Sequence, residues 1–336
     1  MVSHARSTPT LPIVLPTNRP RDRFYDGGAQ IDAFRGLPHG EDHTPEDWVG
    51  STTPVRGQEP AGLTRLDDGT LLRDAVTADP TGWLGSAHTE RWGADAMLLV
   101  KLLDAGQRLP VHAHPDDDFA ARELASAHGK AEAWYILTPG TVHLGLREDV
   151  DRERLRALVE TQDAAALLDL LHTVDVEAGD AVLVPPGTLH AIGRSVLLVE
   201  VQQPTDFSVL LEWRGYPIDG AAEGHLGLGF DRALAAVDVH ALSADGLAAL
   251  VRRSPAAGSV LPSAADAWFR VDRVTAQAVF GVGFAVVVAT RGTTRLHTSA
   301  GEVVLVAGAT AVVPAAAGAL TVDTDGSALI ARPPAP

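Results

Sequence analysis

The tail of the chain sets the tightest limit on the fold. From Trp268 onward it reads FRVDRV, FAVVVAT, GTTRLHT, GEVVLVAG, ATAVVPA and ALTVDT, with glycine and serine between the runs. Short β-rich segments at regular spacing, divided by turn residues, build sandwiches or jelly rolls rather than helix bundles. The same texture recurs upstream in MLLVKLL, AEAWYIL, GDAVLVPPGTLHAI, SVLLVEVQQ and FSVLLEW. Helical signals interrupt it. PDDDFAARELASAHGK opens on acidic residues that can cap a helix and complement its dipole. From Asp149 to His172, Leu155, Leu158, Leu168 and Leu171 are spaced to give apolar helical faces, and a further helical interval spans Ser243 to Arg252. The first ninety or so residues read as short strands and ordered loops, and the aromatic and charged residues of DRFYDGG and PEDWVGST there either pack around a site or pin loops to a core.

With 336 residues, 46% of them hydrophobic, the chain can bury one large core or two modest ones. Its formal net charge of -16 sets most of the surface against nucleic-acid phosphates and anionic membranes. An anionic ligand would therefore need a few local cations. There is no cysteine, which removes disulfides, thiolate metal sites and cysteine nucleophiles together, so any metal must be held by histidine and carboxylate. MVSHARSTPTLPIVLPTNRPRDRF has no apolar signal core, and no run approaches the roughly 18 apolar residues of a membrane span. The expected compartment is the cytoplasm.

Two local patterns carry chemistry. In RLPVHAHPDDD, His112 and His114 sit two apart, so on one strand both imidazoles face the same side and can reach one ion. Glu132 follows at the head of EAWYIL. Further on, GDAVLVPPGTLH spaces Gly179, Pro185, Gly187 and His190. These pieces resemble the two half-motifs of the cupin metal site. Three imidazoles and one carboxylate make an N/O set suited to one divalent ion, zinc first, with iron, manganese, cobalt or nickel also compatible. The tail repeats the second pattern as GATAVVPAAAGAL, but Ala319 stands where the earlier copy has His190. The expected architecture is mostly β, two cupin-type jelly-roll barrels with a helical insertion at about 149–175. Residues 1–240 form the metal-binding unit and 241–336 a metal-free one.

LLVKLLDAGQRLPVHAHPDDDFA, HGKAEAWYIL, GDAVLVPPGTLHAIG and LLVEVQQPTDFS resemble, in order, successive blocks of the class I mannose-6-phosphate isomerases. The resemblance is good from about Asp95 to Asp231 and looser outside. It implies a pair of cupin-type barrels, a metal held by His112, His114, Glu132 and His190, and interconversion of an aldose and a ketose through an enediol. It further implies Glu200 as proton carrier, Lys130 beside the metal in contact with substrate, and Asp206 at a further pattern position. Two departures stand out. The family's first ligand is a glutamine where this chain has His112, and the family's phosphate-binding arginine falls on Leu210. An apolar side chain cannot clamp phosphate as a guanidinium does, so Arg214, four residues on, is the substitute the sequence offers.

The expected partner is thus a small sugar or sugar phosphate, not nucleic acid or membrane, and nothing in the pattern demands an oligomer. Three other functions fit parts of the pattern. They are an isomerase of an unphosphorylated sugar, an oxygen-handling cupin oxidoreductase or dioxygenase with the same ligand set, and a sugar-binding cupin without turnover. A base beside the metal argues against the last.

Overall fold

The computed structural model describes residues 8–336, which form four antiparallel sheets with helices at their margins. One six-stranded sheet runs, in spatial order, Val251–Arg252, Ala181–Val184, Glu132–Ile136, Leu197–Gln202, Leu99–Asp104 and Glu46–Val49. A five-stranded sheet of Val209–Leu210, His112–Ala113, His190–Ile192, Gly140–Leu146 and Leu171–Val176 accompanies it. The tail supplies the other two sheets. One centres on Thr310–Val313, Ala285–Arg291, Ser327–Arg332 and Arg270–Val274, and the other is built from Gln277–Phe280, Leu320–Thr324, Thr293–Thr298 and Gly301–Val306.

Period-two alternation sorts the central strands between two cores. Trp134, Ile136, Val182, Val184 and Leu198 pack with Val142, Leu144, Val174 and Ile192 of the five-stranded sheet. Their neighbours Ala133, Ala181, Leu183, Leu197 and Val199 join Val271, Val286, Val288 and Leu329 of the tail, with Trp83 and Leu84 from the helical segment Pro80–Leu84. The sheet is thus covered on both faces, which is why its strands read as continuous apolar runs. A charged side chain within such a run has nowhere to go but inward. Lys101 and Glu200 are such residues, opposite each other in register, with Trp134 next across the sheet.

The helices begin where their acidic caps place them. Asp116 accepts from the Phe119 amide at the start of Asp117–Leu124, and Asp151 and Asp163 do the same for Arg152–Thr161 and Ala164–Asp169. The helical insertion ends at Asp169, short of 175, because Leu171, Val174 and Val176 are buried between exposed partners and form a strand. Ser243 caps the later helix Ala244–Leu250. Two strands cross the expected boundary at 240. Ile13–Leu15 pairs with Thr310–Val313 in the tail, and Val251–Arg252 pairs with Ala181–Val184 in the first unit.

Candidate metal centre and its cleft

His112 pairs in register with His190 on one side and Leu210 on the other. His114, two residues on, returns to the same face, and the three imidazoles stand 4.1 to 5.0 Å apart between ring centres. Their candidate ligand nitrogens all lie within 4.8 Å of one another. Among the described residues this is the one group of histidine, cysteine and carboxylate side chains so arranged. Each Nδ1 faces a backbone carbonyl: Pro110 at 2.8 Å, Phe207 at 2.6 Å and Thr188 at 2.8 Å. A carbonyl only accepts, so each Nδ1 carries the proton and each Nε2 presents a lone pair.

Glu132 lies against the histidine group. Its Oε2 lies 3.0 Å from His114 Nε2 and 2.8 Å from Lys130 Nζ, and its Oε1 lies 3.3 Å from His190 Nε2. Trp134 Nε1 donates to Oε1 at 3.0 Å. His190 Nε2 is buried without a directed hydrogen bond. Buried polar atoms without partners are rare in folded proteins, and a ligand nitrogen left so is free to meet an ion. Burial, with the neighbouring imidazoles, holds His112 well below the ordinary histidine range, and burial followed by Lys130 brings His114 down to about 3. Burial alone would raise Glu132, but Lys130 and His114 outweigh it and hold the carboxyl well below its usual range. Neutral imidazoles beside an ionised carboxylate are the protonation states a divalent cation requires, so these residues fit one.

Local structure explains how Lys130 arrives there. After His114 the chain leaves for the helix Asp117–Leu124 and returns at its starting point: the Lys130 amide donates to Pro115 O at 2.9 Å, and the Gly129 amide to Asp117 Oδ1 at 2.7 Å. A Cβ on Gly129 would stand 2.3 Å from Pro115 O, so only glycine lets the excursion close. Lys130 Nζ then reaches His114 Nε2 at 3.0 Å. The Gly187 amide donates to His114 O at 2.7 Å, which ties the turn before His190 to the opposite strand.

Beside the imidazoles a cleft is lined by Arg23, Phe24, Tyr25, Glu46, Lys101, His112, Lys130, Glu132, Glu200, Asp206, Ser208 and Leu210. Glu200 is 3% exposed, its Oε1 3.2 Å from Lys101 Nζ. Burial raises its pKa from the ordinary glutamate value even though Lys101 pulls the other way. Lys101 also sits 4.7 Å over the Trp48 ring.

The structure brings His112, His114, Glu132, His190, Lys130, Glu200 and Asp206 together, and Leu210 lines the cleft where the resemblance would have an arginine. Arg214 is a correction. Its guanidinium donates to Thr161 O at 2.8 Å, at the end of the helix Arg152–Thr161, outside the residues that line the cleft. The physical reason is that the chain turns away after Leu211, where the Trp213 and Arg214 amides both bond Gln162 Oε1. Lys101, Glu46, Arg23 and Tyr25 were missed. Lys101 in MLLVKLL carried the same signal as Glu200 in LLVEV, a charge inside a buried strand. Arg23 and Tyr25 had only the composition of DRFYDGG.

This fold and site define a class: mostly antiparallel β proteins with a buried three-histidine centre open to a charged cleft. Mannose-6-phosphate isomerases of Streptococcus mutans and Bacillus subtilis are 35% and 37% identical to the chain over 133 residues each, 38% of this chain. The matched stretch covers 41% and 40% of those relatives, less than half of their length. Among solved structures, the apo mannose 6-phosphate isomerase of Salmonella typhimurium superposes with a TM-score of 0.73 at 17% identity, covering 96% of this chain and 99% of that one. A mannose 6-phosphate isomerase bound with zinc and yttrium gives the same TM-score at 17% identity, covering 96% and 100%. The chain therefore has the fold of these enzymes and resembles them in sequence over 38% of its length. No protein-family profile matches it.

Proposed function

We propose that the protein is a metal-dependent aldose-ketose isomerase of the mannose-6-phosphate isomerase type, interconverting mannose 6-phosphate and fructose 6-phosphate or a close analogue. The observation that carries this reading is a buried carboxylate, Glu200, in one cleft with His112 of the histidine group and two lysines. His112, His114, Glu132 and His190 would hold one divalent ion, zinc in the first place. When bound, that ion would supply Lewis acidity toward substrate oxygens. Glu200 moves the proton between C1 and C2, for which a raised pKa is apt. Lys130 donates from Nζ to the sugar oxygen that gains charge as the enediol forms. Asp206 lies on the same wall and, through the Arg56 amide at 3.1 Å, fixes the loop beside the cleft.

On this reading the chain is two jelly-roll units, 1–240 and 241–336, that exchange the strands Ile13–Leu15 and Val251–Arg252. Its ligand is a small sugar phosphate, its compartment the cytoplasm. No helix of the described residues is long and apolar enough to cross a membrane. Leu210 favours a second reading, an isomerase of an unphosphorylated aldose. A coupled assay of the zinc-loaded protein on mannose 6-phosphate, with mannose beside it, tests both. Turnover that depends on the phosphate supports the first reading, equal turnover supports the second, and no turnover of either sinks the isomerase assignment.

A further inference from the structure

Leu210 leaves the cleft without the expected phosphate clamp, and Arg214 does not supply one. The cleft does hold three cations, Arg23, Lys101 and Lys130, against four carboxylates, Glu46, Glu132, Glu200 and Asp206. A divalent ion at the histidine centre would change that balance from one negative to one positive charge, which suits an anionic ligand. Lys101 and Lys130 are committed at 3.2 and 2.8 Å to Glu200 and Glu132.

Arg23 is held differently. Both its carboxylate contacts run through Nη2, to Glu46 Oε1 at 3.4 Å and Asp206 Oδ1 at 3.8 Å, and its Nε is buried with no hydrogen-bond partner. Two other well-buried arginines are saturated at short range: Arg19 meets Asp32 at 2.8 Å, and Arg35 meets Asp47 at 2.8 Å through Nε and 2.7 Å through Nη2; Arg273 and Arg332 share an unpartnered Nε but lie outside the cleft. A guanidinium offers five donors in a planar fork that matches phosphate, and in Arg23 most of that capacity is unused.

We infer that Arg23, reaching the cleft from the N-terminal arm, anchors the phosphate ester of the substrate and is the specificity-determining residue that stands in for the arginine absent at Leu210. The inference rests on the proposed function only in taking this cleft as the sugar site. It gives the N-terminal arm a recognition role that the resemblance did not assign, and it resolves the two readings above in favour of a phosphorylated sugar.

The test uses the zinc-loaded full chain and titration calorimetry with two polyols that cannot be turned over, glucitol 6-phosphate and glucitol. Their shared hydroxyls cancel, so the ratio of their affinities reports the phosphate alone. The wild type is expected to bind the phosphate ester at least about 10-fold more tightly, and Arg23→Met to lose most of that ratio, on the order of 10- to 100-fold. Arg23→Lys, which keeps a point charge without the fork, should retain part of it. A wild type with no preference, or an Arg23→Met protein of native zinc content and circular dichroism with the full preference, overturns the inference. If Arg23→Met does not fold, an undiminished ratio in Arg23→Lys overturns it instead. Should neither mannose nor its 6-phosphate be turned over while the polyol ratio still depends on Arg23, the isomerase reading fails and the anion site stands.

Discussion

Glu200 and Lys101 face each other across an antiparallel pair, Oε1 3.2 Å from Nζ, with both side chains buried. Burial pushes the carboxyl up and the lysine pulls it back, so the lysine helps to set where the carboxyl titrates. Lys101→Met takes away the downward pull and raises the carboxyl further. A base works above its pKa, so activity should be lost at a higher pH on acidification. A pH profile of kcat/KM measures the limb. If it does not move, Glu200 is not the base.

Glu200→Gln keeps the shape of that side chain and removes its basicity. Turnover should fall by about 10²- to 10⁴-fold, the usual worth of a general base, while metal content by elemental analysis stays at the wild-type level. Full activity in this variant would send the base elsewhere in the cleft, with Asp206 the next residue to replace.

His190 is fully buried, and its Nε2 has no hydrogen-bond partner in the protein. His190→Ala should abolish both bound metal and turnover. In the wild type, added zinc should raise Tm in proportion to the logarithm of its concentration, and a chelator should reverse this. The variant should show no such response, and a retained zinc-dependent Tm would place the ion at another site.

Gly187 adopts φ +82°, and a Cβ there would sit 3.3 Å from Ala236 O. Gly187→Ala should cost about 1–2 kcal/mol in denaturant unfolding, the usual left-handed penalty. Because the Gly187 amide holds His114 O, zinc affinity should fall too. Unfolding curves and a zinc competition titration separate the effects, and a variant with normal stability and normal affinity would contradict the tie between this turn and the opposite strand.

His128 Nε2 lies 2.7 Å from Asp95 Oδ2, and that bond raises the imidazole above its ordinary pKa despite partial burial. A histidine raised on folding contributes stability that is complete below about 6.5 and lost as pH climbs through the folded value. His128→Gln should therefore lower stability at mildly acidic pH by less than about 1 kcal/mol, a partly exposed pair being screened, and change little in alkali. Equal losses at both ends of the range would mean that packing rather than charge ties this loop.

The three-histidine group was legible because it is local. His112 and His114 are two residues apart on one strand, and the turn before His190 announces itself through Pro185 and Gly187. Glu200 was legible because a carboxylate amid LLVEV must be buried. What escaped the sequence was long-range or sterically negative. Arg214 falls where a substitute for the missing arginine would be sought, yet whether its strand continued toward the cleft depended on Gln162, far away in the chain. Arg23 comes from a loop whose path follows strand pairing across the whole molecule. The extent of the helical insertion was misjudged for a milder reason. Leu171 continues the leucine spacing of the helix before it, although the strand alternation begins there.

That path ties the arm to the tail. Ile13–Leu15 is laid down as an edge strand on Thr310–Val313, and only eight residues separate Leu15 from Phe24 at the cleft wall. The sheet without metal ligands is therefore the foundation on which the arm bearing Arg23 and Tyr25 stands. Cutting the chain near residue 240 would preserve every candidate ligand of the ion and still dismantle one wall of the cleft. The candidate ligands thus lie within residues 112–190, whereas the arm that bears Arg23 rests on a strand more than a hundred residues beyond them.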